Sequence, residues 1–140
     1  MAILKVARMG HPVLRETCRP IDPAKITGPE VQRLIRDMLE TMIEYNGVGL
    51  AAPQVYTPVR LVIAGGEEGE DGRTKLRVLI NPEIEVLDED YTLGMYEGCL
   101  SIPGYVAYVP RKEKVWVEAQ DRNGRRIKEH VIGDLEFRLA

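Results

Sequence analysis

The sequence predicts an α+β fold in which antiparallel sheets pack around a helix. One long stretch has the residue spacing of an amphipathic helix, whereas several shorter stretches alternate as strands do and follow one another along the chain. Consecutive strands of this kind are typical of antiparallel sheets rather than of a parallel sheet with crossover helices. With 140 residues, 44% apolar and 29% charged, residues 1–140 are expected to form a single domain with its own core.

The helix is predicted to begin at residues 27–30, Thr-Gly-Pro-Glu. Threonine can cap a helix, proline suits the first helical position, and glutamate three residues later can return the capping hydrogen bond. The polar face would carry Arg33, Asp37 and Glu40, and the helical pattern ends at 45–47. The opposite, apolar stripe is expected to face the core and comprises Val31, Leu34, Ile35, Met38, Leu39, Met42 and Ile43.

Strands are predicted where apolar residues alternate or form short buried runs. A solvated hairpin connection is expected at the Gly- and Glu-rich residues 65–72, and a turn at 121–124, Asp-Arg-Asn-Gly. Residues 133–140 have a pattern that could begin a helix. The predicted strands are 59–64, 76–80, 83–87, 114–120 and 126–131.

Charge and cysteine usage exclude several classes of function. The net charge of −3 comes without a basic stripe, which argues against nucleic-acid binding. No apolar run reaches the length that crosses a membrane, and the N-terminus lacks the order of a signal peptide, so a cytoplasmic protein is expected. Cys18 and Cys99 would then remain thiols, and Cys18 has the setting of a small, half-buried structural residue.

Two segments contain residues suited to chemistry. Residues 47–54, Gly-Val-Gly-Leu-Ala-Ala-Pro-Gln, are small side chains followed by a carboxamide, which would permit close approach of a ligand but also suit a tight connection. Residues 97–104, Glu-Gly-Cys-Leu-Ser-Ile-Pro-Gly, hold Cys99, whose thiolate could bind a borderline metal, although a single cysteine is more often an inert buried thiol.

Taken together, the patterns GxGxAAxQ and EGCLS at this separation resemble the first and second signature motifs of the peptide deformylase family. The resemblance extends to the flanks, namely Leu14-Arg15, the amphipathic helix, Ile80-Asn81-Pro82 and Val109-Pro110-Arg111. It implies a metallohydrolase, normally dependent on iron(II) with zinc, nickel or cobalt as substitutes, that removes the formyl group from the initiator methionine of new polypeptides. The implied partners are N-formylmethionyl peptides and nascent chains at the ribosome.

The resemblance also implies residue roles. Cys99 would be the thiolate ligand of the metal, whose bound water attacks the formyl carbon. The Gln54 side-chain amide and the Leu100 backbone N–H would bind the formyl oxygen and its developing charge. This requires the amide of Gln54 and the sulfur of Cys99 to meet in one small pocket.

Further roles concern the peptide. Gly49 would lie beside the substrate backbone, and Val48 and Met95 would form an apolar wall near the methionine side chain. Glu97 would pair with Arg111 and brace the cysteine segment. The peptide could lie along a strand edge, where recognition is mostly through the main chain.

The sequence departs from the family at its third motif, HExDH, which should follow the last hairpin near 135–140. The 140 residues contain two histidines, His11 and His130, and neither begins such a pattern. We therefore expect a C-terminally truncated fold without the metal-binding helix, weak or no metal binding, and an uncovered apolar surface that favours self-association. An active deformylase, a formyl-peptide-binding protein without catalysis and an assembly partner all stay open.

Overall fold

A computed structural model of the protein describes residues 2–68 and 74–132. It has the predicted α+β architecture, in which one long helix accompanies antiparallel strands, with short 3-10 helices at Pro12–Arg15, Pro23–Lys25 and Ala52–Val55. No helix in the described part of the chain is long and apolar enough to span a membrane. The longer elements are α1 (Pro29–Glu44), β1 (Gly49–Ala51), β2 (Leu61–Glu68), β3 (Thr74–Val86), β4 (Thr92–Cys99), β5 (Ile102–Lys112), β6 (Lys114–Gln120) and β7 (Arg126–Ile132).

Five strands form the main sheet, in the order β1-β2-β3-β6-β7, and every neighbouring pair is antiparallel. Because successive residues of a strand face opposite sides, Ile80 joins a core cluster with α1, while Leu79 joins a second cluster with Val115 and Val117 of β6. The first cluster also contains Ile26, Ile35, Met38, Met42, Leu50, Leu61 and Ile63, all almost fully buried.

The N-cap residue of helix α1 lies one position later in the chain than expected. Gly28 rather than Thr27 is the N-cap residue, it makes no side-chain capping bond, and Pro29 takes the first helical position. The prediction of a threonine cap is therefore wrong. The helix ends at Glu44, in agreement with the end of the apolar pattern.

The two faces of α1 differ from expectation at two positions. Asp37, predicted on the polar face, is only 9% exposed, because the N-terminal segment crosses the helix and the amide of Ala2 donates to its carboxylate over 3.2 Å. The amide of Leu4 donates to Thr41 Oγ1 in the same crossing. Ile43, predicted in the core stripe, is 63% exposed.

Strand β3 merges two predicted strands. The predictions at 76–80 and 83–87 correspond to one strand with a register shift between Ile80 and Glu83. Asn81 lies at this irregularity with φ 52°, a left-handed conformation that asparagine tolerates better than most residues. Its side chain accepts from the amide of Ile21 and donates to the carbonyl of Ile21, both over 2.8 Å.

The remaining predicted strands are present with shifted ends. The strand predicted at 59–64 is β2, which continues to Glu68, so the connection expected at 65–72 was placed too early. The β6–β7 hairpin is confirmed, and its turn is held by the side chain of Asp121, which accepts from the amides of Asn123 and Arg125. The helix expected at 133–140 lies outside the described residues.

Strands β4 and β5 form a separate two-stranded sheet, called here the β4–β5 hairpin, which the sequence analysis did not predict. Tyr96 and Tyr108 lie opposite each other with their rings edge to face, 5.7 Å between centroids. A Cβ atom at Gly94 would lie 2.2 Å from the ring of Tyr108, so the ring packs directly over this glycine. Neither strand, each described along its whole length, contains a fully buried residue.

The N-terminal segment joins the hairpin to the main sheet. The amide of Ala7 donates to the carbonyl of Gln54 over 2.7 Å, and the amide of Met9 donates to the carbonyl of Ser101 over 2.9 Å. His11 ends this segment as a structural residue, since its Nδ1 accepts from the amide of Val13. Cys18 is half-buried, as expected.

Candidate functional site

The two motif segments meet in a cleft of about 690 Å³. One wall is the segment between α1 and the Ala52–Val55 helix, and the other is the turn end of the β4–β5 hairpin. The fold produces this meeting because the N-terminal segment bonds both to Gln54 and to Ser101. Of the residues with predicted roles, Val48, Gly49, Gln54, Glu97, Cys99 and Leu100 line the cleft.

The side chain of Gln54 has a fixed orientation. Its Oε1 accepts from the backbone amide of Ala51 over 2.9 Å, which leaves the Nε2 end directed at the hairpin. Nε2 donates to Ser101 Oγ over 3.1 Å and lies 3.8 Å from Cys99 Sγ. The prediction that the Gln54 amide and the Cys99 sulfur share one pocket is therefore confirmed.

Leu100 contacts the first motif at Gly47. A Cβ atom on Gly47 would lie 2.8 Å from Leu100 Cδ1 and 3.4 Å from the side chain and carbonyl of Met42. Only glycine permits this approach without displacing a neighbour. The close approach holds the hairpin turn against the end of α1.

Glu97 and Arg111 form the predicted pair. Arg111 Nε donates to Glu97 Oε1 over 3.0 Å, and its Nη2 donates to Oε2 over 2.8 Å, a two-point geometry that fixes both side chains. The hydrogen bond and the charge of Glu97 raise the pKa of Arg111 against the opposing effect of burial. The pair spans β4 and β5 close to Cys99 and limits movement of the strand that carries the thiol.

Met95 is placed differently from the other predicted residues. It lies on β4 opposite Val109 and is half-buried, and it is not among the described residues that line the cleft. The structure therefore brings Val48, but not Met95, to the cleft wall. Val48 is 50% exposed and has room to contact a ligand.

The cleft also includes residues that the sequence analysis did not single out. Arg8, Tyr45, Tyr96 and Tyr105 are among them. They come from separate parts of the chain, and no local pattern in the sequence connects them. Ser101 lies behind this lining, is 5% exposed and holds Gln54 by a hydrogen bond, and it was available as part of the second motif.

The described residues do not fit a catalytic metal ion. Within residues 2–68 and 74–132 no three side chains of His, Cys, Asp or Glu converge as a ligand set. His130 is exposed on β7 opposite Trp116, and the ring of His11 packs edge-on against Tyr56. Cys99 is exposed and stands as a single soft ligand, whereas stable sites use three or four.

Comparison with known proteins relates the chain to one family. The model of the family described as "Polypeptide deformylase" matches residues 3–137. A peptide deformylase of Leptospira biflexa is 38% identical over 128 residues, covering 88% of this chain and 71% of the relative. One from Pseudomonas aeruginosa is 42% identical over 134 residues, covering 95% of this chain and 75% of the relative.

Solved structures give the same result for the fold. A class I type b peptide deformylase from Acinetobacter baumannii, in a crystal structure with bound Met-Ala-Ser, superposes with a TM-score of 0.86 at 30% identity, covering 99% of this chain and 88% of that chain. The peptide deformylase of Thermotoga maritima superposes with a TM-score of 0.82 at 32% identity, covering 95% and 84%. Both the helix and the two sheets therefore belong to one known architecture.

Proposed function

The chain belongs to the polypeptide deformylase family, and from this membership we propose that its cleft takes N-formylmethionyl peptides for hydrolysis of the formyl group. The observation that carries the proposal is the convergence of Gln54 Nε2 and Cys99 Sγ, 3.8 Å apart. The relatives are named peptide deformylase, a hydrolase, and the family is metal-dependent. Hydrolysis adds water across the formyl carbon–nitrogen bond, releasing formate and a free amino terminus.

Gln54 and Leu100 bind the formyl oxygen in this proposal. The Nε2 group of Gln54 has two hydrogens, and Ser101 Oγ accepts one of them. The second is directed at Cys99 Sγ over 3.8 Å, and in this proposal it is given to the formyl oxygen when the peptide binds, together with the backbone N–H of Leu100 in the hairpin turn. Donors fixed before the reaction stabilise the negative charge that develops on this oxygen. The fixed Oε1 end of Gln54 supports this assignment, because the amide cannot turn its acceptor toward the substrate without losing the Ala51 bond.

The peptide lies along β1 in this proposal. Among the described strands β1 is the edge of the main sheet and pairs with β2 alone, so its other side can accept an added strand. Gly49 leaves room for the peptide backbone, and Val48 forms the apolar wall for the methionine side chain. Met95 lies further along β4, outside the cleft lining. Glu97 acts through its pair with Arg111. The Met-Ala-Ser bound by the Acinetobacter baumannii protein supports a peptide of this class as the ligand.

A metal ion would supply the nucleophilic water of the hydrolysis. Iron(II) is the family's usual ion, with zinc, nickel or cobalt as substitutes, and Cys99 is its proposed ligand. Among the described residues no three side chains of His, Cys, Asp or Glu converge as a ligand set. We expect weak binding. Titration with iron(II), cobalt or zinc under reducing conditions tests this, and a stoichiometric complex of submicromolar affinity contradicts it.

The lack of a three-ligand set among the described residues favours a second candidate function, a formyl-peptide-binding protein without turnover that acts as a recognition or assembly partner. One assay separates the two candidates. Formate release from formyl-Met-Ala-Ser is measured with each metal, and binding of formyl-Met-Ala-Ser is compared with binding of Met-Ala-Ser. Release selects the enzyme, and binding of the formylated peptide alone selects the second candidate. Equal binding of both peptides without release of formate contradicts both.

Gln54→Glu is the decisive variant for either candidate. It keeps the size of the side chain but replaces the donor by an acceptor, so we expect turnover to fall by a factor of about 100 to 1000 where turnover occurs. Where the chain only binds, the preference for the formylated peptide should disappear. Gln120→Glu is a matched control, since it makes the same replacement outside the cleft lining and keeps the side-chain oxygen that accepts from Asn81. An unchanged Gln54→Glu variant contradicts the assigned role.

The setting of this activity is also part of the proposal. Formylated nascent chains at the ribosome are the proposed partners, without direct contact to nucleic acid, in keeping with the net charge of −3. A cytoplasmic location is proposed because Cys99 is an exposed free thiol that an oxidising compartment would not preserve. Self-association through an uncovered apolar surface is also proposed, and a monomer at all concentrations in sedimentation contradicts it.

A further inference from the structure

The cleft contains one arginine whose charge has no partner among the residues that the structure describes. Arg8 lines the cleft, and its guanidinium makes no hydrogen bond or ion pair with any residue that the structure describes. The other charged side chains in the lining, Glu97 and Arg111, bind each other. A positive charge is therefore left over in the cleft of a protein whose net charge is −3.

Arg8 is also held in a fixed place. Its two chain neighbours donate backbone hydrogen bonds to opposite walls of the cleft, Ala7 to the carbonyl of Gln54 and Met9 to the carbonyl of Ser101. Ala7 is fully buried, whereas Arg8 is exposed, so the side chain extends from an anchored backbone. Gln54 and Ser101 are themselves hydrogen-bonded across 3.1 Å. The Arg8 backbone thus lies beside the groups assigned to the formyl oxygen.

We propose that Arg8 is a specificity-determining residue that binds a carboxylate of the peptide close to its formyl-methionine. A formylated amino terminus carries no positive charge, so a peptide of this class presents no cation to oppose Arg8. Guanidinium and carboxylate form charge-assisted, two-point hydrogen bonds. The carboxylate can come from an acidic residue after the methionine or from the C-terminus of a dipeptide, and both sources offer the same group.

This inference rests on the proposed function and is tested by measuring binding in solution. The ¹⁵N-labelled protein is titrated in reducing buffer, with a chelator that prevents hydrolysis, against formyl-Met-Ala-amide, formyl-Met-Asp-amide and formyl-Met-Ala with a free carboxylate. The backbone amide of Leu100 reports the formyl group, and the Nε–H of Arg8 reports the carboxylate. The two charged peptides distinguish the side-chain source from the terminal source.

At least one charged peptide should bind about threefold to tenfold tighter than the neutral amide, a range set by the partial exposure of the site. The ratio of the two affinities should fall with added salt and drop to about one in Arg8→Gln. In Arg8→Lys part of the preference should remain. Arg125→Gln removes the same charge from the exposed β6–β7 turn and should keep the preference.

The other possible results contradict either the proposed function or the role of Arg8. If the Leu100 amide does not respond to any peptide, the proposed function and this inference both fail. If Leu100 responds while Arg8 Nε–H does not, or if the preference for a carboxylate is missing or persists in Arg8→Gln, the inference fails and the proposed function stands.

Discussion

The main sheet and the β4–β5 hairpin are stabilised by different interactions. The main sheet packs against α1, and residues such as Ile35, Met38 and Ile63 are fully buried between them. The hairpin has exposed residues on both faces, including Tyr96 at 73% on one and Tyr105 at 75% on the other. Burial of apolar area stabilises the first region, whereas the second depends on strand pairing and on contacts at its ends.

The candidate site uses one part from each region. Gln54 belongs to the buried part, between Ala52 and Val55, whereas Cys99 stands at the end of the exposed hairpin. The distance between their side chains is therefore set by the few contacts that join the regions, namely Gln54 with Ser101, Met9 with Ser101 and Gly47 with Leu100. A weakened hairpin should change the site before it changes the stability of the whole domain.

The largest effect is expected from a core substitution. Ile63→Ala removes a fully buried side chain from the cluster under α1 and should lower the free energy of unfolding by roughly 2 to 5 kcal/mol. Val106→Ala on the hairpin should cost less than about 0.5 kcal/mol, as exposed positions usually do. Urea denaturation of both variants measures the contrast. Similar losses would show that the hairpin is covered in solution and would remove the distinction.

The same contrast explains what the sequence predicted. α1 and the β6–β7 hairpin were found because one side of each is buried, so that apolar residues recur with the helical or strand period. β4 and β5 were missed because exposure on both faces imposes no alternation, and Gly94, Pro103 and Pro110 interrupt the pattern. The burial of Asp37 was missed because it depends on the crossing of a segment 35 residues away in sequence.

The candidate site divides in a similar way. The two motifs identified Gln54 and Cys99, and the structure places them together. Arg8 and Tyr45 carry no sequence signal, since they reach the cleft only through the folded chain path. Met95 shows the opposite failure, because a residue near the motif in sequence need not line the cleft.

The next effect concerns the contact between Gly47 and Leu100, which joins the two regions. In Gly47→Ala the new methyl group meets Leu100 Cδ1 at 2.8 Å, and because this atom ends a flexible side chain, Leu100 can move aside. We expect a loss of about 1 kcal/mol in stability, with a shift of the Leu100 amide signal and weaker binding of formyl-peptides. Gly98→Ala is the control for stability, as its nearest contacts would be 3.9 Å and 4.0 Å. If the Leu100 amide signal does not move in Gly47→Ala, the contact between Gly47 and Leu100 does not position the hairpin turn.

A smaller and local effect is expected within the hairpin. Glu97→Gln removes one charge of the two-point pair with Arg111 and should make opening of the hairpin easier by about 1 kcal/mol, given partial exposure. Hydrogen exchange should quicken at amides of β4 and β5 while those of the main sheet stay protected. Glu89→Gln breaks a 3.2 Å pair with Lys112 at the far end of the hairpin, where Glu89 is 76% exposed, and should change little. Faster exchange throughout the main sheet would mean that the regions open together.

The smallest effect belongs to the surface of the main sheet. Hydrogen bonds from Lys128 and then Arg126 lower the pKa of Glu118 from 4.5 to about 2. Because the folded pKa lies below the unfolded one, the stabilisation is complete above pH 4.5 and is lost as pH falls through about 2. Wild type should therefore exceed Glu118→Gln in denaturation midpoint near neutral pH, with the difference vanishing at about pH 2. Since the carboxylate is at the surface and screened by salt, this difference should stay well below that of Ile63→Ala. A pH-independent difference would instead assign the stability of this surface to packing of the Glu118 side chain rather than to its charge.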